Sequence, residues 1–333
     1  MSPRSSSPPE GTAPLAPNAP SAAHAGARGG IVVGLIKTVR PHQWVKNLFV
    51  LAPAVFAKDV FQTQPLVRAV GAVAVFCLLS GAVYTMNDVV DVEADRVHPV
   101  KRNRPIASGQ VPIGAARIYL VLLLAVSFVG AFVGLGATFT AVAAAYFVMN
   151  VGYSLRLKKM PFVDVGCIAL GFVLRVLGGG FAIGVRVSWY MFACTLLLSL
   201  FLGFGKRRHE IAQEQAGKQR ASLEAYTARG LDVALTITGV ATIATYVAYT
   251  LDGTTRAFFK SDNLWMTTPS VVIGVARFVQ IVKGNPQGRR EGEKAAESPT
   301  QEMLRDPLFV LNLILWVVVV LVIVYRIRPT ASP

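Results

Sequence analysis

From about residue 31 onward the chain alternates long apolar runs with short polar stretches. Nine apolar segments can be read: 45–57, preceded by a shorter stretch at 31–39, then 66–90, 115–135, 137–153, 162–183, 189–204, 233–251, 264–282 and 308–325. About 20 consecutive apolar residues cross a hydrocarbon core of about 30 Å as a helix. The segments at 45–57 and 189–204 are short by that measure. The pattern predicts an all-α, polytopic membrane protein of about nine transmembrane helices.

Composition supports this. Apolar residues make up 53% of the 333 residues and charged ones only 15%, whereas soluble domains carry roughly a quarter. The net charge of +15 does not point to nucleic acid, because the basic residues fall in short loops between apolar runs. Arg96, Lys101, Arg102, Arg104, Arg156, Lys158, Lys159, Lys206, Arg207, Arg208, Lys283 and Arg289 lie in one set of loops. The opposite loops hold little beyond Lys58, Arg186, Arg256 and Lys260. This asymmetry predicts a multi-pass protein of the cell (inner) membrane, with its N-terminus and the basic loops in the cytoplasm and its C-terminus outside.

Residues 1–30 are rich in Pro, Ala and Ser and read as a disordered cytoplasmic tail. The loop 205–231 contains an amphipathic pattern, with Ala221, Leu223, Ala225 and Tyr226 among Arg, Glu and Gln. It suits either a cap over a membrane cavity or a plain interfacial helix. The loop 283–307 is polar and Gly-rich in its middle and is expected to be mobile. Cys77, Cys167 and Cys194 stand alone in apolar runs, so they read as small buried residues rather than metal ligands.

The candidate chemistry sits at the end of the second segment, where 84–95 reads YTMNDVVDVEAD. Asn87, Asp88, Asp91 and Asp95 are spaced by three and four, which on a continuous helix puts them on one face. Carboxylates so close repel one another, and a divalent cation between them removes the repulsion. Oxygen-only ligands suit magnesium, which commonly bridges a few carboxylates to a substrate's phosphates. Asp88, Asp91 and Asp95 are the expected metal ligands, and Asn87, Asp88 and Asp91 the expected catalytic group. A solvated acidic helix end and acid–base catalysis by an Asp pair are the alternatives. Acidic groups continuing an apolar span are costly, which favours function.

The loop that follows carries three cations within four residues: Lys101, Arg102 and Arg104. Magnesium with Lys or Arg is a common way to hold a diphosphate, although membrane topology alone could also account for them. His98 reads as a loop residue more readily than as a base. Lys46, Lys158, Lys206 and Arg207 add further cations on the same side. Arg175 lies inside the fifth segment, where it needs a partner or a wet cavity, with a structural brace as the competing reading. Gly178, Gly179 and Gly180 suit close helix packing.

The NDxxDxxxD pattern at the end of a second span resembles the first aspartate-rich motif of the UbiA prenyltransferase superfamily. The resemblance covers essentially everything after residue 30. It implies a UbiA-like domain over 31–333 whose helices ring a central cavity, with cytoplasmic loops at 91–111, 154–161, 205–231 and 283–307. Members that use prenyl diphosphates carry a second acidic motif after the sixth span, where this chain reads GKRRHE at 205–210. With RPHQWVKN at 40–47, NDVVDVEADRVHPVKRNRPIASGQV at 87–111 and SLEAYT at 222–227, the pattern resembles the decaprenyl-phosphate phosphoribosyltransferase family. That resemblance implies transfer of 5-phosphoribose from phosphoribosyl pyrophosphate to a polyprenyl phosphate, with Mg2+ as cofactor and pyrophosphate released. The product would serve cell-envelope glycan synthesis. The expected substrate-binding residues are Lys46, Asn47, Lys101, Arg102, Arg104, Tyr153, Lys158, Arg175, Lys206, Arg207 and Glu210. A homo-oligomer is left open. The rival readings are a prenyltransferase acting on an aromatic or haem acceptor, which requires the second acidic motif, and a non-enzymatic lipid or ion carrier, which requires no diphosphate site.

Overall fold

The structure is a computed structural model that describes residues 28–59, 61–214, 225–283, 302–303 and 305–326. Most of the N-terminal tail, Ala221 and Leu223 of the 205–231 loop, and most of the 283–307 loop therefore lie outside the described residues.

The described residues are helical with no strand. Helix α1 (Arg28–Thr38) leads into a 3-10 segment, Pro41–Leu51, and the short α2 (Ala52–Phe56). Then come α3 (Thr63–Val90), α4 (Val92–Val97), α5 (Ile113–Leu135), α6 (Ala137–Leu155), α7 (Val163–Ile183) and α8 (Trp189–Glu214). The chain continues with α9 (Ala228–Leu251), α10 (Gly253–Phe259), α11 (Thr268–Lys283) and α12 (Pro307–Arg326). Among the described residues, eight helical stretches are long and apolar enough to cross a membrane. Their outer faces are lined by exposed apolar side chains, such as Val121, Val126, Val129, Phe132 and Val133 of α5. In water such a face would be a liability, and against lipid tails it is the solvated surface. The chain is a multi-pass membrane protein.

The 45–57 segment is too short to cross as an α-helix, and the structure solves this by winding it more tightly. The 11 residues of the 3-10 segment, at about 2.0 Å each, advance about 22 Å, and the five of α2 add about 7 Å, together roughly the hydrocarbon thickness. The sixth segment is also longer than its apolar run: Gly205 to Glu214, expected to open a loop, stay helical at the end of α8.

Successive spans pack side by side from α3 through α5, α6, α7, α8, α9 and α11 to α12. The 3-10 segment packs against α3 and α7. A Cβ on Gly179 would collide with the Val50 carbonyl, so glycine there lets α7 touch the 3-10 backbone directly. The ring closes where Tyr325 Oη donates to the Val55 carbonyl at 3.0 Å. The end of α12 thus meets the end of α2. Between the 3-10 segment, α2, α8, α9, α11 and α12 lies a cavity of about 280 Å³.

Three residues per turn give the 3-10 segment three eclipsed faces. Val45 and Leu48 are exposed toward lipid, while Asn47 and Val50 are buried. On the third face Phe49 and Ala52 line the cavity, and Gln43 and Lys46 continue that row toward the basic end.

Candidate functional site

Helix α3 does not run on through the acidic motif. Asp91 has φ −91° and ψ 9°, so it ends α3 and caps α4. This corrects the expectation that Asn87, Asp88, Asp91 and Asp95 share one helical face. Asp88 and Asp95 turn inward and are buried, while the Asp91 side chain is 40% exposed and faces Lys158 Nζ at 3.7 Å. Asn87 is half-buried beside Asp88.

Two arginines close on the buried pair. Arg40 Nη2 donates to Asp88 Oδ1 at 2.7 Å. Arg104 Nη1 reaches the same oxygen at 3.2 Å and Asp95 Oδ2 at 2.6 Å. Arg40 also stacks over the Tyr84 ring, 4.8 Å from its centroid. Its backbone is left-handed, with φ 51°, which costs a non-glycine residue about 1–2 kcal/mol. The Asp88 ion pair helps offset that cost. Arg40 was missed as a site residue because 48 positions separate it from Asp88, although it opens the RPHQWVKN stretch.

The donor set can be tested against a metal ion. It is oxygen-only, and a single cation, the Arg104 guanidinium, already stands between the carboxylates of Asp88 and Asp95. That arrangement fits a divalent ion. Among the described residues, no three acidic, His or Cys side chains are gathered for one ion, and Asp91 is the member turned away.

The remaining cations are held in separate surroundings. Lys101 and Arg102 lie in a short 3-10 turn, Lys101–Asn103, without side-chain hydrogen bonds to the aspartates. His98 organises this loop, its Nδ1 accepting from the Val100 and Lys101 N–H groups at 3.2 and 3.3 Å. Lys46 is held by the Gln43 amide at 2.7 Å, not by a carboxylate, and lies close enough to Lys206, Arg175 and Arg40 for their charges to repel. Lys206 has Glu210 at 4.0 Å.

Asn47 and Arg175 form a buried brace. Arg175 Nε donates to Asn47 Oδ1 at 2.7 Å, Nη1 to the Gly171 carbonyl at 2.9 Å and Nη2 to Tyr146 Oη at 2.8 Å. Asn47 Nδ2 in turn reaches Cys77 Sγ and Ser80 Oγ, both at 3.2 Å. These contacts join the 3-10 segment, α3, α6 and α7, and the arginine finds neutral partners rather than a carboxylate.

Arg207 is more deeply enclosed. Its Nε lies 2.6 Å from Asp164 Oδ2, with side-chain exposures of 1% and 0%, although the N–H is not aimed at that oxygen. It also pairs with Glu210, and its Nη2 reaches Tyr153 Oη at 3.4 Å. Tyr226 seals the group: its Oη donates to Asp164 Oδ1 at 2.7 Å and accepts from the Phe162 N–H at 2.6 Å. Burial, and then the hydrogen bond to Asp164, push the Tyr226 phenol well above its ordinary range, so it remains a donor. Sequence reasoning missed Asp164, whose signal is a lone acid opening an apolar span. Tyr226 belongs to the SLEAYT stretch, of which only 225–227 lie among the described residues.

The UbiA prenyltransferase family model matches residues 48–296. A decaprenyl-phosphate phosphoribosyltransferase from Corynebacterium glutamicum is 34% identical over 297 residues, covering 88% of this chain and 87% of that one. One from Mycolicibacterium smegmatis is 38% identical over 228 residues, covering 67% and 71%. Among solved structures, a UbiA homolog from Archaeoglobus fulgidus bound to DMAPP and Mg2+ has a TM-score of 0.63 at 18% identity, covering 89% of this chain and all of that one.

Proposed function

The chain belongs to the UbiA prenyltransferase family, and from that premise we propose that it transfers 5-phosphoribose from phosphoribosyl pyrophosphate to a polyprenyl phosphate, releasing pyrophosphate. The observation that carries this reading is the division of charge at the basic end. Asp88 and Asp95 form one buried carboxylate pair, and the segment where prenyl-diphosphate enzymes would carry a second acidic pair reads GKRRHE instead, with Lys206 near Lys46. One such pair suits one metal–diphosphate. Added cations suit a second substrate that is itself a phosphate.

Asp88 and Asp95 would hold Mg2+, which when bound would supply positive charge to the departing diphosphate. Arg40 and Arg104 already lie on the carboxylates and are the residues placed to grip the diphosphate oxygens. Lys158, 3.7 Å from Asp91, and Lys101 and Arg102, in the turn between Asp95 and Arg104, are the further cations of this reading. The acceptor phosphate is anionic and needs no base, so the chain's task is to hold it in line with the anomeric carbon. Lys46 and Lys206 are placed for that. Asn47, Tyr153, Arg175, Arg207 and Glu210 act behind them by fixing the helices that carry these groups. The basic end faces the cytoplasm of the inner membrane, where phosphoribosyl pyrophosphate is available.

The test uses purified protein in detergent with labelled phosphoribosyl pyrophosphate and a polyprenyl phosphate, with and without magnesium. Magnesium-dependent label on the lipid, together with stoichiometric pyrophosphate, is the expected result. Protein that ignores every polyprenyl phosphate but turns over a prenyl diphosphate with an aromatic acceptor would transfer the chain to the prenyltransferases.

A further inference from the structure

The two arginines over the buried carboxylates are supported differently. Arg104 is held by both aspartates, its Nη1 shared between Asp88 at 3.2 Å and Asp95 at 2.6 Å. Arg40 has one acceptor among the described residues, Asp88 Oδ1 at 2.7 Å. A single hydrogen bond fixes neither the plane of a guanidinium nor the direction of its other donors. The second support is a ring. The Arg40 guanidinium carbon stands 4.8 Å from the centroid of Tyr84, within range of a cation–π contact. Tyr84 and Asp88 are four residues apart on α3, so they lie one above the other on a single helix face. The ring fixes the face of the guanidinium and the carboxylate fixes its edge.

The backbone of Arg40 makes that support necessary. Arg40 precedes Pro41, and the residue before a proline is pushed toward extended backbone by the pyrrolidine ring. Arg40 instead has φ 51° and ψ 66°. Strain of this kind persists only where the surroundings over-determine it, and it gathers at functional sites. The side-chain contacts that hold Arg40 are those to Asp88 and Tyr84.

Resting on the phosphoribosyl-transfer reading, we propose that Tyr84 is a positioning residue for the donor substrate. Its ring holds the Arg40 guanidinium in one plane, so that the arginine keeps its orientation as the diphosphate of phosphoribosyl pyrophosphate takes up its free N–H groups. Tyr84 itself touches no substrate atom. The ring acts through its face, so the phenol hydroxyl is dispensable. A planar, forked grip on phosphate oxygens depends on orientation far more than a point charge does, which is why an aromatic support matters under this arginine. Arg104, gripped by two carboxylates, does not depend on it.

The experiment measures binding of labelled phosphoribosyl pyrophosphate to the full-length protein in detergent with magnesium, alongside the acceptor KM in the transfer assay. Position 84 carries in turn Phe, phenylalanines with one, two and three ring fluorines, and Leu. Fluorine drains negative charge from the ring face while hardly changing its size, so the series weakens the contact without repacking α3. Tyr84→Phe keeps the donor Kd within about twofold of wild type. The fluorines raise it stepwise to about fivefold, and Tyr84→Leu raises it about tenfold, with the acceptor KM unmoved. The fluorinated series decides the matter even where Tyr84→Leu unfolds. In an Arg40→Met background the same series is flat, whereas in Arg104→Met it keeps its full slope. A donor Kd that ignores fluorination, or a slope that survives the loss of Arg40, overturns the assignment while leaving phosphoribosyl transfer intact. A large loss in Tyr84→Phe also overturns it, because the hydroxyl would then be a substrate contact. Wild-type protein that neither binds phosphoribosyl pyrophosphate nor transfers its ribose overturns the underlying reading as well.

Discussion

Two arginine–carboxylate assemblies stand at the same end of the helical ring and are built to opposite specifications. In one, Arg40 and Arg104 are 24% and 28% exposed over aspartates at 2% and 4%. In the other, Arg207 and Asp164 are 1% and 0% exposed and Tyr226 closes the remaining oxygen. A buried carboxylate under a half-open arginine can exchange that cation for an incoming one. A fully enclosed pair has no such exchange open to it, and breaking it leaves an uncompensated charge. On the proposed reaction, equal chemistry would serve binding in the first case and architecture in the second.

The largest effect that would separate them is on stability. Arg207→Met should destabilise the protein by about 3–5 kcal/mol, because Asp164 is left buried without its cation. Thermal unfolding in detergent would show it, and a stable variant with only a raised substrate KM would make Arg207 a binding residue after all. Asp88→Asn should do the reverse. It should lower turnover roughly a hundred- to a thousandfold while leaving the melting temperature nearly unchanged. Near-normal turnover would remove Asp88 from the reaction.

Smaller changes sharpen the contrast. Tyr226→Phe deprives the Phe162 N–H of its acceptor and Asp164 Oδ1 of one of its two donors, so a loss of about 1–3 kcal/mol is expected with little change in KM for either substrate. A large KM change at full stability would contradict the sealed reading. Lys158→Ala removes a 3.7 Å, partly solvated pair with Asp91. Its stability cost should stay below about 1 kcal/mol, so any rise in the KM for phosphoribosyl pyrophosphate would report binding directly.

The span pattern and the acidic motif were legible in the sequence because both are local. Apolar runs and spacings of three and four need no knowledge of distant residues. The pairings that define the site are not local. Asp88 meets Arg40 across 48 positions, and Tyr226 meets Asp164 across 62, so no periodicity announces them. The break at Asp91 was hidden too, since a run of good helix spacing does not show where one residue leaves the helix. Arg175 was visible as an arginine inside a span, but only the fold shows that its partners are Asn47, Tyr146 and a carbonyl.

The 3-10 segment has one further consequence. Its eleven residues form three parallel lanes, one for lipid, one for the core and one for the cavity. One residue inserted or deleted between Pro41 and Lys46 would rotate everything beyond it by a third of a turn and reassign all three lanes at once. Asn47 would leave its place in the arginine brace, and Phe49 would leave the cavity wall. Point substitutions in this stretch can be absorbed lane by lane, whereas its length cannot vary. The tight winding that lets a short segment cross the membrane also makes its residue count an invariant of the fold.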